Sequence, residues 1–246
     1  MTTNSCINQP TRHSGRAGKR RRFFIVLIFV GLFFWVTLPL QAAADAPAPK
    51  LEDIIDRVQR KYEAIDRFSA NFLQIYTSNV NSVRREESGI LYMKKPGKMR
   101  WEYQKPESKL FVSDGKKSFF YVPSDRQVTE RKYSPDDRES VPFLFLFGQG
   151  DLRREFIVSW EIIEPKRRGE NYLVRLRPKL DNRAFIAVLV EIVPADYSIE
   201  RMVVIDSMED HSEFILSHFD SAAKFDDKLF EFKVPKGVDV LNVDAH

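Results

Sequence analysis

Residues 51–66 have the spacing of apolar positions that is typical of an amphipathic helix. Apolar side chains recur every three or four residues, and charged residues fill most of the positions between them. The apolar positions are Leu51, Ile54, Ile55, Val58, Tyr62 and Ile65. The pattern therefore predicts one helix over residues 51–66, with an apolar stripe that packs against the rest of the protein.

After the predicted helix, the pattern changes to short runs in which apolar and polar residues alternate. Asp114-Gly115 separates two such runs, which indicates a hairpin because glycine tolerates the positive φ of tight hairpin turns. Lys-Pro-Gly-Lys at residues 95–98 separates another pair. The predicted strands are 89–94, 99–104, 109–113, 117–122, 127–133, 156–164, 172–177, 186–193, 199–207, 213–219 and 229–234, and residues 68–76 also begin to alternate. So many strands with short connections predict an antiparallel sheet curled into a barrel or half-barrel.

Residues 141–148 do not follow the alternating pattern, because nearly every position is apolar. Pro142 suits the first turn of a short helix and Gly148 suits its end. A short helix that is apolar on all sides must be buried on most of them. The segment is therefore either a permanent plug in the mouth of the barrel or a lid over an apolar cavity.

The N-terminal segment has the organisation of a secretory signal peptide. Basic residues at 16–22 precede an apolar run, Phe23–Leu40, and small residues follow at Ala42 and Ala44. These features predict a signal peptide over residues 1–44 and a mature chain of residues 45–246. The apolar run is also long enough to span a bilayer, so a retained membrane anchor is the alternative.

Charge and motif content exclude several classes of function. The segment 1–44 carries six of the 39 basic residues, so the remaining chain has 33 basic against 35 acidic residues and lacks the basic character that nucleic-acid binding needs. The single cysteine, Cys6, lies in the leader, which leaves no disulfide and no thiol nucleophile in the mature chain. No sequence signature for a zinc site, a nucleotide loop or a serine nucleophile is present. An enzyme, a metal site and a cofactor are therefore not expected.

Aromatic residues are abundant, and they are the best candidates for ligand binding. A curled sheet with aromatic side chains on one face can form either an ordinary core or a pocket for lipid. The candidates for either role are Trp101, Tyr103, Phe111, Phe119 and Tyr121.

The order of several short motifs resembles that of the periplasmic outer-membrane lipoprotein carrier (LolA) family from Leu51 to about Asp239. The motifs are F-x-A-x-F-x-Q at residues 68–74, G-x-L-x-x-K-K-P with R-W-x-Y and V-S-D-G-K at residues 89–116, P-F at residues 142–143, and F-x-F-x-x-P-x-G-V at residues 230–238. The resemblance implies a mainly β (α+β) fold: a single unclosed antiparallel half-barrel, covered by the N-terminal helix and a short apolar lid helix.

The resemblance also implies a function and a set of partners. In that family an apolar cavity takes the acyl chains of a lipoprotein from an inner-membrane releasing transporter and passes them to an outer-membrane receptor. The expected partners are therefore lipoproteins, that transporter and that receptor. The expected location is the periplasm, and the expected state is a monomer.

Two further site predictions come from the resemblance. A basic residue of the K-K-P element holds the lid of the empty carrier shut in that family, and the matching residue here is Lys95. Lysine offers a compact, mobile charge where arginine has a planar fork, so this latch is expected to be weaker; the alternative is a solvated lysine beside a turn. The lid hypothesis adds that three side chains fill the empty cavity and swing out when cargo enters: Phe143, Phe145 and Phe147.

Two other functions fit the same half-barrel. One is a lipid-sensing periplasmic regulator that grips a partner protein, although regulators of that type carry an additional C-terminal domain that is not expected here. The other is a lipid or glycolipid shuttle for a different export system, tethered by an uncleaved Phe23–Leu40.

Overall fold

The computed structural model describes residues 49–132, 150–161, 170–180 and 185–243. The predicted signal peptide and the apolar segment 141–148, with Phe143, Phe145 and Phe147, lie outside these ranges. The predictions made for them therefore stay predictions.

The described residues form one long and one short α-helix, two 3₁₀ turns and a single twelve-stranded sheet. The helices are α1 (Leu51–Glu63) and α2 (Leu152–Glu155). The strands are β1 (Arg67–Thr77), β2 (Arg84–Lys94), β3 (Lys98–Lys105), β4 (Lys109–Asp114), β5 (Lys117–Val122), β6 (Gln127–Lys132), β7 (Phe156–Trp160), β8 (Tyr172–Pro178), β9 (Ala187–Ile192), β10 (Ile199–Ile205), β11 (His211–Asp220) and β12 (Asp239–Asn242).

The sheet has the order β12-β6-β5-β4-β3-β2-β1-β11-β10-β9-β8-β7. Every neighbouring pair is antiparallel except β12 and β6, which run parallel. The two ends of this order, β12 and β7, are edges of the sheet and do not pair with each other. The prediction of a mainly β, unclosed sheet with few helices is thereby confirmed.

Local sequence explains most of these elements. The two predicted hairpins form as expected, and the glycines of their turns have φ of 68° at Gly97 and 87° at Gly115. Helix α1 carries acidic residues in its first turn and basic residues in its last, which favours the helix dipole. The short helix α2 is capped by Asp151, whose carboxylate accepts from the backbone N–H groups of Arg153 and Arg154 at 2.9 Å.

The strand predicted at residues 229–234 is wrong. Asp227–Phe230 forms a 3₁₀ turn, and the following residues pair with no strand of the described sheet. Phe230 is buried beside Phe225, and Phe232 packs on Phe119 at 5.2 Å between ring centroids. A chain that lies across the face of a sheet buries every second side chain, so it produces the alternation of a strand without the pairing.

The two faces of the sheet carry different layers. Helix α1 packs over one face, here called the covered face, and joins it in one apolar core. The opposite face carries a smaller apolar cluster on strands β8 to β10. It is formed by Leu173, Ala187, Leu189, Val203 and Ile205. The candidate site described next lies on the covered face.

Candidate binding site on the covered face

Four aromatic side chains form a cluster on the covered face. The ring centroid of Phe72 lies 4.9 Å from that of Trp101 and 5.0 Å from that of Tyr103, and both pairs have edge-to-face geometry. Phe214 on β11 meets Trp101 at 5.9 Å. Trp101 is only 5 % exposed, and its indole N–H donates to the sulfur of Met99 at 2.9 Å. The four rings therefore form a largely buried aromatic layer in the same apolar core as the stripe of α1.

A glycine allows this cluster to pack closely. A Cβ on Gly89 would lie 1.8 Å from the backbone oxygen of Glu102 and 3.0 Å from the Phe72 ring. The pairing of β2 and β3 also shifts register between Ser88 and Gly89. Only a residue without a side chain fits where β3 approaches β2 this closely. Gly89 thus sets the distance at which Phe72 meets the rings of β3.

The five aromatic candidates from the sequence divide between the two faces. Trp101 pairs across strands with Phe111, and Phe111 pairs with Phe120, so these side chains share the covered face with Tyr103. Phe119 and Tyr121 alternate with Phe120 and therefore point to the opposite face.

Phe119 and Tyr121 are instead covered by the C-terminal segment. The ring of Phe232 lies 5.2 Å from that of Phe119 and 5.8 Å from that of Tyr121. The structure therefore brings together Trp101, Tyr103 and Phe111 and separates the other two candidates from them. The hairpin register of β4 and β5 is the signal in the sequence that would have distinguished the two groups.

Lys95 joins the β2–β3 turn to the C-terminal end of α1. Its ammonium donates to the backbone oxygens of Tyr62 at 2.9 Å and Glu63 at 2.8 Å. These carbonyls end the helix, where a positive charge is favourable. Burial lowers the pKa of Lys95 below its usual value, and the carboxylates of Asp66 and Glu63 oppose that shift. Lys95 thus holds the covering helix, whereas a contact with segment 141–148 lies outside the described residues.

Other polar contacts fasten the same end of α1 to the β9–β10 turn. Lys61 donates to the backbone oxygen of Asp196 at 3.0 Å and to its carboxylate at 2.7 Å. The Tyr62 hydroxyl accepts from the backbone N–H of Ile199 at 2.9 Å. Burial raises the pKa of Tyr62 to about 12, and the hydrogen bond from Ile199 opposes that shift. The guanidinium of Arg57 lies 5.2 Å from the ring centroid of Tyr197.

Further polar contacts along α1 fasten it to the segment around α2. The amide of Gln59 donates to the backbone oxygen of Gly150 at 2.8 Å and accepts from the backbone N–H of Leu152 at 3.1 Å. Arg153 donates to the backbone oxygen of Glu52 at 2.8 Å and pairs with Asp56 at 2.9 Å. The contacts of Gln59 are part-buried, whereas the pair of Arg153 and Asp56 is exposed, and exposed pairs contribute little individually. Burial of Ile54, Ile55 and Val58 in the core is thus the main attachment of α1 to the sheet, and these polar contacts add to it.

The aromatic cluster gives way to a polar pocket of about 360 Å³ towards the β1–β2 turn. This pocket is called the polar pocket below. It is lined by Gln74, Tyr76, Asn81, Val83, Arg85, Glu87 and Lys109. The Tyr103 hydroxyl connects the two regions by donating to the side-chain oxygen of Gln74 at 3.0 Å. Burial raises the pKa of Tyr103, with a smaller contribution from Glu87, so this hydroxyl keeps its proton. No pattern in the sequence indicates this pocket, because its polar residues are ordinary for a solvated strand end.

The described residues contain no group of three or more histidine, cysteine, aspartate or glutamate side chains placed to hold a metal ion. Within the same ranges, no helix is both long enough and apolar enough to cross a bilayer. The covered face thus carries apolar, aromatic side chains with a polar pocket next to them.

Comparisons with known proteins identify the family of this chain. The family model described as "Outer membrane lipoprotein carrier protein LolA" matches residues 63–233. An outer-membrane lipoprotein carrier protein from Chromobacterium violaceum is 30 % identical over 202 residues, which cover 82 % of this chain and 94 % of that protein. Another, from Bordetella avium, is 30 % identical over 208 residues, covering 83 % and 91 %. A third, from Psychromonas ingrahamii, is 26 % identical over 217 residues, covering 88 % and 96 %.

Among solved structures, an uncharacterised conserved protein from Thermus thermophilus has a TM-score of 0.48 and 16 % identity, with 78 % of this chain and 98 % of that chain covered. A LolA superfamily protein from Nitrosomonas europaea has a TM-score of 0.42 and 10 % identity, with 75 % and 99 % covered.

Proposed function

Because this chain belongs to the LolA family of outer membrane lipoprotein carrier proteins, we propose that it binds the acyl chains of lipoproteins and shuttles them across the periplasm. The donor is then an inner-membrane lipoprotein-releasing transporter, and the acceptor is an outer-membrane receptor. The observation that carries the proposal is the aromatic cluster of the covered face, which the apolar stripe of α1 covers in this structure.

The covered face supplies the apolar surface that acyl chains need. Trp101, Tyr103 and Phe111 line it, and the stripe of α1 occupies the same apolar core in this structure. Ile54 and Leu91 are fully buried there, so the site is filled by the protein's own side chains. Cargo therefore has to replace the contacts that α1 makes on this face.

This competition keeps binding reversible. Each buried methylene group contributes about 0.8 kcal/mol, so three long acyl chains would contribute on the order of 30 kcal/mol if they were buried fully. A carrier that retained all of that free energy could not release its cargo. A helix that returns to the same surface lowers the net affinity by the free energy of its own burial, and so assists transfer to a receptor.

A release assay tests the proposal. The full chain is expressed, and the purified protein is incubated with spheroplasts that carry a labelled triacylated lipoprotein in the inner membrane. We expect lipoprotein to appear in the soluble fraction in a complex with the chain. Replacing Phe111 by aspartate should abolish release, because a carboxylate would be buried on the apolar surface.

The matched control for this variant is Phe119→Asp, on the neighbouring strand but the opposite face. It should retain release if the protein folds, which circular dichroism checks. No soluble lipoprotein with the unmodified chain would contradict the carrier function.

A further inference from the structure

We infer that the polar pocket is a subsite for the phosphate-bearing headgroup of a phospholipid whose acyl chain lies on the aromatic cluster. The inference uses the acyl-binding surface of the proposed function. It goes beyond that function, because the ligand is a phospholipid and the residues that recognise its headgroup are separate from those that contact acyl chains.

The hydrogen bonds already present leave the pocket rich in donors. The Gln74 side-chain oxygen accepts from the Tyr103 hydroxyl, so its amide N–H groups remain for a ligand. The Asn81 side-chain oxygen accepts from the backbone N–H of Val83 at 3.3 Å, so the amide N–H groups of Asn81 also remain for a ligand. Both amides are thus oriented as donors, and the best complement is a group with several acceptor oxygens.

The charges of the pocket favour an anion. Its lining includes two cations, Arg85 and Lys109, and one anion, Glu87, which pairs with Lys109. Among the described residues Arg85 makes no ion pair, and its guanidinium is exposed at the pocket. A planar guanidinium binds two oxygens of a phosphate at once, which makes arginine well suited to this ligand.

One nearby carboxylate is already occupied. Asp210 accepts from the Tyr76 hydroxyl at 2.5 Å and from the backbone N–H of Asn79 at 2.7 Å. The hydrogen bond from Tyr76 and then that from Asn79 lower the pKa of Asp210. Asp210 therefore orients Tyr76 at the wall of the pocket, and its acceptor oxygens are used by the protein.

The position of the pocket suits an amphipathic molecule. Gln74 and Tyr76 continue the same face of β1 as Phe72, and their cross-strand partners on β2 are Glu87 and Arg85. The pocket is thus next to the aromatic cluster, at the strand ends far from Lys95 and the C-terminus of α1. The length of β2 separates Arg85 from Lys95 by roughly 30 Å. A lipid with its chain on the rings of Phe72 and Trp101 places its headgroup at Arg85.

Calorimetric titration with matched lipids tests this assignment. The full chain is titrated with myristoyl lysophosphatidylglycerol, with monomyristoylglycerol, and with inorganic phosphate, each lipid below its critical micelle concentration. The two lipids share the acyl chain and differ in the phosphate headgroup. We expect the phospholipid to bind about tenfold tighter than the neutral lipid, because a charge-assisted hydrogen bond is added. Inorganic phosphate alone should bind far more weakly than the phospholipid.

The variant Arg85→Gln should lower phospholipid affinity about tenfold and leave the affinity for monomyristoylglycerol unchanged. The control is Arg84→Gln, because Arg84 is adjacent on β2, points to the opposite face and pairs with Glu86. It should change neither affinity. Gln74→Leu provides a second variant and should weaken phospholipid binding in the same selective way.

Equal affinity for the two lipids, or equal effects of the Arg84 and Arg85 variants, would overturn the headgroup subsite and leave the carrier function standing. Binding of inorganic phosphate as tight as that of the phospholipid would identify a free-phosphate site instead, and would also overturn the inference. If neither lipid binds, both the subsite and acyl binding on the covered face are contradicted.

Discussion

Replacing Lys95 by methionine should loosen helix α1 without disturbing the sheet. The ammonium of Lys95 donates to two helix-terminal carbonyls, at 2.9 Å from Tyr62 and 2.8 Å from Glu63. Methionine keeps the length and the apolar stem of the side chain and removes both donors. The substitution therefore isolates the polar contact between the β2–β3 turn and the covering helix.

The expected magnitude follows from the partial exposure of this contact. A hydrogen bond to a charged group contributes about 1.5–3 kcal/mol when buried. The side chain is half-buried here, and water can replace it at the carbonyls, so the two bonds together with the helix-dipole interaction should contribute about 1–2 kcal/mol. An opening equilibrium of α1 would shift by about 5- to 30-fold in consequence.

Two assays measure this shift. Hydrogen exchange of the α1 amides should accelerate by that factor in the Lys95→Met variant. The apparent Kd for a fluorescent acyl probe should fall by up to the same factor, because a larger fraction of the protein is then competent to bind. Arginine at the same position should preserve the closed state, since its guanidinium can reach both carbonyls.

The control is Lys94→Met. Lys94 is adjacent in sequence, but it pairs with Asp227 of the C-terminal segment and not with α1. This variant should leave α1 exchange and probe affinity unchanged. If Lys95→Met exchanges at the rate of the unmodified protein and binds the probe equally well, the reasoning that Lys95 holds the covering helix is refuted.

Two further predictions concern the sheet and the ion pairs that attach the C-terminal segment to it. Gly89→Ala should lower the free energy of unfolding by more than about 2 kcal/mol in urea, because its Cβ would overlap the Glu102 backbone oxygen; a change as small as that of Ser88→Ala would contradict this. Hydrogen bonds from Lys94 and Lys98 lower the pKa of Asp227 from 3.8 to about 2. Since the folded-state pKa is depressed, the stabilising contribution is present above about pH 4 and is lost as the pH falls towards 2. The stability difference between the unmodified protein and Asp227→Asn should shrink in that interval, and a constant difference would contradict it.

Periodicity in the sequence predicted the elements whose own residues decide their structure. The stripe of α1 was identified because its apolar residues meet the core, although the helix ends at Glu63 and Ile65 packs against the core from beyond it. Strand β5 was predicted with its observed bounds, because the glycine turn and the alternating residues specify a hairpin together.

Elements whose structure depends on distant partners were not predictable in this way. Strand β12 has four exposed residues and pairs with β6 through its backbone alone, so no alternation identifies it. The segment after Asp227 alternates because Phe230 and Phe232 pack on the opposite face of the sheet.

The candidate site shows the same division. Aromatic residues were correctly identified as abundant, but only pairing register distinguishes Phe111, on the covered face, from Phe119. The contact of Lys95 with the carbonyls of Tyr62 and Glu63 joins parts of the chain that are more than thirty residues apart. The polar pocket depends on side chains from β1, β2 and β4, and these come together only in the folded sheet.

Site-specific crosslinking in cells shows whether lipoprotein acyl chains lie on the covered face. A photoreactive amino acid is placed at position 111 or at position 119 of the full chain in cells, and crosslinked products are probed for lipoproteins. Phe111 and Phe119 lie on neighbouring strands and on opposite faces of the sheet. Crosslinks to lipoprotein from position 111 and none from position 119 are the predicted result. Equal crosslinking from both positions, or crosslinking from position 119 alone, would contradict the assignment of the acyl site to the covered face.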